Sequence, residues 1–165
     1  MRFNLVVALV GIMALPAGTA LAQSSRDACT LMPMSELQAV LGSAPTQVEE
    51  QGAGTGTSFC HWRGADGQGV QLHWITAASQ GIVGGTPLEY FTQRATARKE
   101  NLGAQNVQDI DGPWQAATLV DIKEDNPDQV RSVSLINKDD TVTVETYGLD
   151  VSVTRSLAEA VARAM

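Results

Sequence analysis

The sequence predicts an α+β fold in two layers: an antiparallel sheet of about five or six strands with helices packed on one face. Short runs of alternating apolar and polar residues follow one another across tight turns, which favours antiparallel strands. Three other segments carry apolar residues at helical spacing, and helices with one apolar stripe must cover a face of the sheet. Residues 23–165 have the usual size of one domain.

The amino terminus has the three parts of a cleavable export signal. Arg2 supplies a positive charge, residues 5–15 form an uncharged apolar run, and residues 20–22 (Ala-Leu-Ala) offer small side chains to a signal peptidase. We expect cleavage after Ala22, which would make Gln23 the new terminus and the protein periplasmic or secreted. A membrane anchor is the alternative, but a span needs about 20 apolar residues and this run is about half as long.

The charge balance is acidic and argues against two classes of partner. The chain has a formal net charge of −7, and loss of Arg2 with the signal leaves ten basic against eighteen acidic residues, or −8. Nucleic acid requires clustered Lys and Arg, and an anionic membrane surface also attracts basic segments. We therefore expect no nucleic-acid partner. We also expect no membrane span after signal removal, and an unknown periplasmic or envelope protein or a small ligand as the partner.

Two cysteines remain in the exported part of the chain, Cys29 and Cys60. An even number of cysteines in an exported domain predicts a disulfide, and the enclosed loop of about 30 residues is worth roughly 3–4 kcal/mol in the chain-entropy model. Free thiols or a redox pair are the alternative, but the spacing is not that of a C-x-x-C motif. We favour a structural disulfide.

The first predicted helix spans residues 33–41. Pro33 suits the first turn, Glu36 favours the positive end of the helix dipole, and Gly42 ends the helix. The following residues 43–58 are rich in Gly, Thr and Glu, and predict a flexible surface loop.

A β-hairpin is predicted next, with strands at residues 58–64 and 69–76 around the turn residues Asp66 and Gly67. With a three-residue loop, one face carries the apolar side chains and His61 lies opposite His73 on the outer face. With an even loop that register breaks, and Cys60 shares a face with His73. The apolar face of the three-residue register consists of Cys60, Trp62, Val70, Leu72 and Trp74.

The second predicted helix has the clearest start in the chain. Thr86 can act as the N-cap, Pro87 suits the first helical position, and Glu89 completes a capping box. The helix is expected to run to about Leu102 and to stop at Gly103.

The second half is mostly strand, with a helix at the end. Strands are predicted at residues 107–110, 114–122, 130–137 and 141–147, and a helix at about residues 153–164. The alternation places Val142 and Val144 inside, whereas Thr141, Thr143 and Glu145 are expected to face water.

A family resemblance rests on four short motifs and on the segment 107–116, which contains Asp111-Gly112. The motifs are Cys29-Thr30-Leu31-Met32, Glu36-Leu37, Leu41-Gly42 and Cys60-His61-Trp62. This pattern resembles small exported bacterial domains, many of them actinobacterial lipoproteins of unknown function. The resemblance implies an α+β domain with a Cys29–Cys60 bridge and no known catalytic residues. The chain departs from it at Pro33, where those domains have a capping Thr, and in lacking the lipidation cysteine.

His61 and His73 are the only histidines and could form a metal site across the hairpin. A zinc site needs three or four ligands, and no spacing in the sequence requires a third, so solvent-facing histidines are the favoured interpretation. No metal or other cofactor is expected. Trp62 and Trp74 are expected in the core, while Trp114 and Arg63 are candidates for a binding surface.

The sequence contains no G-x-S-x-G elbow and no H-E-x-x-H motif, which leaves enzymatic activity undecided but disfavoured. The favoured hypothesis is a non-enzymatic exported binding module. The alternatives are a small metal-binding protein using His61 and His73, and a cell-envelope hydrolase.

Overall fold

A computed structural model of the chain describes residues 27–42, 45–51, 56–64, 67–122 and 130–165. The predicted export signal, the predicted turn residue Asp66, and residues 43–44, 52–55 and 123–129 lie outside the described residues. Within the described part, no helix is long and apolar enough to cross a membrane.

The described strands form one antiparallel sheet, which confirms the predicted α+β class. Its seven strands are ordered β1-β2-β3-β7-β6-β5-β4, so strands that follow one another along the chain are neighbours except for β3 and β4, because β3 pairs with β7 and β4 lies at the far edge. The strands are β1 (Thr46–Gln51), β2 (Thr57–Arg63), β3 (Gly69–Ile75), β4 (Val107–Asp109), β5 (Ala116–Asp121), β6 (Val130–Asn137) and β7 (Asp140–Tyr147).

The strand absent from the prediction is β1, which lies where a flexible loop was expected. It pairs with β2 at the edge of the sheet, with an irregularity between Gln47 and Glu49. Its sequence, TQVEEQ, is polar and shows no apolar alternation. Such a composition is typical of an edge strand, where charged residues hinder pairing with a strand of another molecule. The expected loop at residues 43–58 is therefore wrong over Thr46–Gln51.

Four α-helices are described: α1 (Ala28–Leu31), α2 (Met34–Leu41), α3 (Pro87–Leu102) and α4 (Val151–Ala164), together with a short 3₁₀ helix at Ala77–Ser79. Both halves of the predicted capping box are present at the start of α3, where Glu89 N donates to Thr86 Oγ1 at 3.2 Å and Thr86 N donates to Glu89 Oε2 at 2.7 Å. Asp150 caps α4 in a similar way through Ser152 N at 2.8 Å.

One face of the sheet, called here the inner face, carries the main apolar core. Its central side chains come from alternate positions of the strands and are fully or almost fully buried against α1, α2 and α4. They include the predicted set from the hairpin, Cys60, Trp62, Val70, Leu72 and Trp74, and Val133, Leu135, Val142 and Val144 from β6 and β7. The helices contribute Leu37, Leu157 and Val161 among others.

The opposite, outer face of the sheet is where α3 lies, so the expectation that all helices pack on one face is wrong for this helix. Ser134 alternates with Val133 and Leu135 of the core and therefore points to the outer face, where Arg98 of α3 donates to it at 2.8 Å. Lys99 of α3 also pairs with Asp109 of β4 at 2.6 Å. A stripe of apolar residues at helical spacing predicts that a helix packs on a sheet, but it does not predict on which face of the sheet.

The hairpin register differs by two residues from the expectation. Arg63 pairs with Gly69, and Gly64 N donates to Gln68 O at 3.0 Å, so Gly64 lies opposite Gln68, whereas the expected register places it opposite Val70. Because the shift of two residues is even, the faces remain as predicted. However, His61 lies opposite Gln71, and His73 lies opposite Phe59, so the two histidines do not face each other.

Cys29 of α1 and Cys60 of β2 lie at disulfide-bonding distance, with their Cα atoms 5.2 Å apart. The main-chain N–H of Ala28 next to the bridge donates to Ser58 Oγ of β2 at 2.9 Å. The pair therefore fixes the first helix to the inner face of the hairpin.

Candidate functional site

A cleft of about 230 Å³ lies between α3 and the outer face of the sheet. Its floor lies along a row of residues that crosses five strands of the sheet. Each residue of this row is directly paired with the next one. The row consists of Phe59, His73, Thr143, Ser134 and Thr118. Within this row, the last four line the cleft.

The floor of the cleft is polar, although it lies beneath a helix. Thr118 is 1% exposed and Ser134 is 5% exposed. Ser134 Oγ is 3.0 Å from Thr143 Oγ1 and accepts a hydrogen bond from Arg98, whereas the Thr118 side chain makes no hydrogen bond to any described residue. The face of a helix that packs on a sheet is normally apolar, and so is the surface it covers. These hydroxyl groups are therefore suited to contact a bound molecule.

Two arginines of α3 border the cleft. Arg94 and Arg98 are one helical turn apart and thus on the same side of the helix as Phe91 and Ala95, which are its buried residues. The guanidinium carbon of Arg94 lies 5.8 Å from the centre of the Tyr90 ring, within the range of a cation–π contact. Among the described residues, no carboxylate lies within ion-pair distance of either arginine.

The electrostatic environment of Arg98 reflects this arrangement. Partial burial of the guanidinium, and next the positive charge of Arg94, lower the pKa of Arg98, while Glu145 acts in the opposite direction. Arginine nevertheless remains protonated in proteins because its pKa lies far above neutrality. The result is two like charges held close together beside a cleft, an arrangement that a bound anion would stabilise.

The remaining walls of the cleft are mainly apolar and aromatic. Ile75, Tyr90, Phe91 and Ala95 line it together with the hydroxyl groups and the arginines. Ligand sites typically combine such walls with a few convergent polar groups, in cavities of about 300–1,000 Å³. The volume here is somewhat smaller, which favours a small ligand.

The two predicted metal ligands lie in different places on the outer face. His73 lines the cleft and contacts Phe59 edge-on, with ring centroids 6.4 Å apart. His61 lies in a separate depression of about 480 Å³ beside Tyr147, with ring centroids 6.2 Å apart. In the described part of the chain, no group of three or more His, Cys, Asp or Glu side chains is placed to hold a metal ion. Metal binding by His61 and His73 stays a prediction, although the two histidines do not lie opposite each other as the predicted hairpin register placed them.

The two predicted binding-surface residues also lie outside the cleft. Arg63 is exposed at the end of β2 and borders the same depression as His61. Trp114 precedes β5, is half-buried against the main core, and donates from Nε1 to Ile110 O at 3.0 Å. Its ring covers Gly112, where a Cβ atom would come within 2.3 Å of Trp114 Cζ2. A contact role for Arg63 or Trp114 stays a prediction.

Arg94 and Arg98 were not predicted as site residues from the sequence, although their spacing in the sequence indicates where they lie on the helix. Phe91, Arg94, Ala95 and Arg98 follow the i, i+3, i+4, i+7 spacing of a helix face that packs on the protein. Two charged residues within such a stripe indicate a wet interface. Thr141 and Thr143, expected to face water, line the cleft instead.

Comparison with known proteins identified no relative of this chain. No family model, no curated protein and no solved structure matches the chain. The resemblance to small exported bacterial domains therefore stays an expectation based on its motifs.

Proposed function

We propose that the protein is a non-enzymatic, exported binding module whose ligand site is the cleft between α3 and the sheet. The observation that carries this proposal is the polar floor beneath the helix, in particular the nearly buried Thr118 hydroxyl that has no hydrogen-bond partner among the described residues. Apolar residues at these positions would stabilise the helix–sheet contact without such hydroxyls. The size of the cleft favours a small ligand over a protein partner.

Export is supported by the amino-terminal sequence and by the cysteine pair. Residues 1–22 have the composition of a cleavable signal, and Cys29 and Cys60 lie at disulfide-bonding distance, as expected in an oxidising compartment. When the full chain is expressed in bacteria, we expect the periplasmic or secreted fraction to contain protein that begins at Gln23. Retention of the uncut chain in the membrane fraction, shown by mass spectrometry, would contradict this part of the proposal.

The ligand site is tested by a fragment screen on the exported protein, with backbone amide resonances as the readout. Small neutral, cationic and anionic fragments are tested in turn, and we expect shifts in the residues of the cleft floor and of α3. Thr141→Phe should abolish these shifts because the half-buried Thr141 borders the cleft. Thr46→Phe is the matched control, since Thr46 is an exposed strand residue outside the cleft. Shifts centred on Trp114 or His61, or shifts that persist in Thr141→Phe, would overturn the proposal.

No specific observation favours the metal-binding protein or the envelope hydrolase. His61 and His73 lie in separate depressions. His73 contacts Phe59 and, within the described part of the chain, makes no hydrogen bond to a serine or a carboxylate that would be characteristic of an activated nucleophile.

A further inference from the structure

We infer that the ligand of the cleft is a small organic anion, whose carboxylate or phosphate group binds between Arg94 and Arg98 and whose apolar part contacts Phe91 and Ile75. This inference rests on the proposed function, because it assigns a chemical class to the ligand of the same cleft.

The charge of the cleft is opposite to that of the whole chain. The chain has eighteen acidic and eleven basic residues, yet the two arginines are the formally charged residues of the described lining, and no Asp or Glu of the described chain lines it. Glu145, on the neighbouring row of β7, acts on Arg98 from outside the cleft, and its carboxylate accepts a hydrogen bond from Tyr147 at 3.3 Å. The cleft is thus a local positive site on an acidic protein, which would concentrate small anions.

The donors of Arg98 are oriented before any ligand binds. Its Nη1 donates to Ser134 Oγ at 2.8 Å, and Ser134 Oγ in turn lies 3.0 Å from Thr143 Oγ1. A guanidinium has five N–H donors in a planar fork, so one hydrogen bond to Ser134 leaves the other donors for a ligand. Carboxylates and phosphates match this fork in a bidentate manner, which a lysine at the same position would not reproduce.

A second set of donors and a second charge lie nearby. Arg94 is exposed, lines the cleft, and has its guanidinium carbon 5.8 Å from the centre of the Tyr90 ring. The Thr118 hydroxyl on the floor has no hydrogen-bond partner in the described chain and can donate to an anionic oxygen. Hence a bound anion would neutralise the repulsion between the two arginines and satisfy donors on both sides of the cleft.

The volume and the walls limit the rest of the ligand. The cavity of about 230 Å³ lies just below the range of about 300–1,000 Å³ that is typical of ligand sites. We therefore expect a ligand no larger than one small ring or a short branched chain that carries an anionic group. The aromatic and aliphatic walls at Tyr90, Phe91 and Ile75 fit an apolar body of that size.

The inference is tested by calorimetric titration of the exported protein with four probes. Benzoate and phenyl phosphate combine an anionic group with a ring, benzamide is the neutral isostere of benzoate, and inorganic phosphate lacks the apolar part. We expect at least one of the two aromatic anions to bind about tenfold or more tightly than benzamide, as charge-assisted hydrogen bonds provide. The comparison of benzoate with phenyl phosphate decides between the two anionic groups, and weaker binding of inorganic phosphate would support the contribution of the apolar walls.

Arginine variants locate the effect. Arg98→Met should weaken binding of the aromatic anion about tenfold or more, and Arg98→Lys should restore only part of the affinity because the fork is lost. Arg94→Met serves the same purpose at an exposed position, should Arg98→Met not fold. Arg163→Met is the matched control, since Arg163 lies at the carboxyl end of α4 on the other face of the sheet.

The outcomes separate this inference from the proposed function. If fragments bind in the cleft but benzamide and benzoate bind equally and both arginine variants leave the affinity unchanged, the anion inference is overturned and the ligand site stands. If no fragment of any charge shifts the resonances of the cleft, both fail. Binding of the anions that Arg163→Met weakens as much as Arg98→Met would also overturn the inference, because it would show a general charge effect.

Discussion

At the scale of single residues, the inner core contains a few polar side chains whose hydrogen bonds are made inside the protein. Thr146 of β7 and Thr154 of α4 are fully buried, and their Oγ1 atoms are 2.5 Å apart. The Trp74 indole donates to the nearly buried Asp140 at 3.2 Å, and the main chain of Ala77 donates to the same carboxylate at 3.0 Å. Among the described residues, every side-chain nitrogen or oxygen that solvent does not reach has a hydrogen-bond partner, so the partnerless Thr118 hydroxyl of the cleft is one that solvent reaches. Such pairs fix the orientation of neighbouring elements, because a broken pair leaves a buried polar group unsatisfied.

The threonine pair gives a prediction for stability. Thr154→Val should lower the free energy of unfolding by about 1–3 kcal/mol, because the buried hydroxyl of Thr146 loses its main partner. Thr146→Val combined with Thr154→Val should recover much of this loss, since both hydroxyls are then removed. Urea unfolding of the two single variants and the double variant forms a double-mutant cycle. Strictly additive losses would show that the two side chains do not interact.

Tyr147 gives a prediction for high pH. Burial of its hydroxyl, and next the charge of Glu145 and a hydrogen bond to it, raise the pKa of Tyr147 from 10.0 to about 12. Because the pKa is higher in the folded protein, the stability that the neutral phenol contributes is complete below pH 10 and is lost as the pH rises towards 12. The difference in unfolding free energy between the wild type and Tyr147→Phe should shrink over this interval. A difference that stays constant with pH would contradict the raised pKa.

At the scale of secondary structure elements, local sequence signals and long-range connections have different roles. The capping box at Thr86 and Glu89 defines the start of α3 through contacts within four residues. The position of α1 instead depends on contacts about 30 residues away, with Cys60 and Ser58 of β2. A four-residue helix has too few hydrogen bonds to be stable by itself. The connection between α1 and the hairpin is therefore what holds this helix on the sheet.

Loss of the disulfide is expected to weaken this connection. Replacement of both Cys29 and Cys60 by alanine should lower the free energy of unfolding by about 2–4 kcal/mol, mainly because the unfolded chain gains conformational freedom. A reducing agent should have a similar effect on the thermal unfolding midpoint of the wild type and none on the double variant. Free thiols in the native exported protein, detected by alkylation and mass spectrometry, would show that the bridge is not formed.

At the scale of the whole molecule, the two faces of the sheet differ in how they are covered. The inner face is closed by α1, α2 and α4, and α4 alone buries six residues. The outer face is covered by α3, which buries only Phe91 and Ala95 and leaves the cleft between itself and the sheet. The inner face therefore supplies most of the apolar burial that stabilises the fold, and the outer face is free to form a ligand site.

This asymmetry predicts that α3 opens more easily than α4. In native-state hydrogen exchange, the amides of α3 should exchange through openings of lower free energy than the amides of α4, because fewer apolar contacts hold the helix. Phe91→Ala should speed exchange in α3 and leave α4 protected, whereas Leu157→Ala should lower the protection of both helices, since Leu157 lies in the main core. Equal opening free energies for α3 and α4 in the wild type would indicate a single cooperative unit.

Features that depend on local chemistry and on simple periodicity could be predicted from the amino-acid sequence alone. The capped start of α3, the alternation that buries Trp62 and Trp74, and the pairing of Cys29 with Cys60 all follow from residue types and their spacing. The polar edge strand β1 was not predicted because it lacks the apolar alternation by which strands are recognised.

The hairpin register, the face on which α3 packs, and hence the candidate site depend instead on contacts between distant segments of the chain. A shift of two residues keeps every side chain on its face, so alternation cannot distinguish His73 opposite His61 from His73 opposite Phe59. An apolar stripe likewise predicts that one side of α3 packs against the protein, but it does not predict which face of the sheet that side contacts. The cleft combines Arg98 of α3 with Ser134 of β6, 36 residues further along the chain. Such a site exists only once the helix has packed on the outer face, because no local pattern encodes contacts between distant segments.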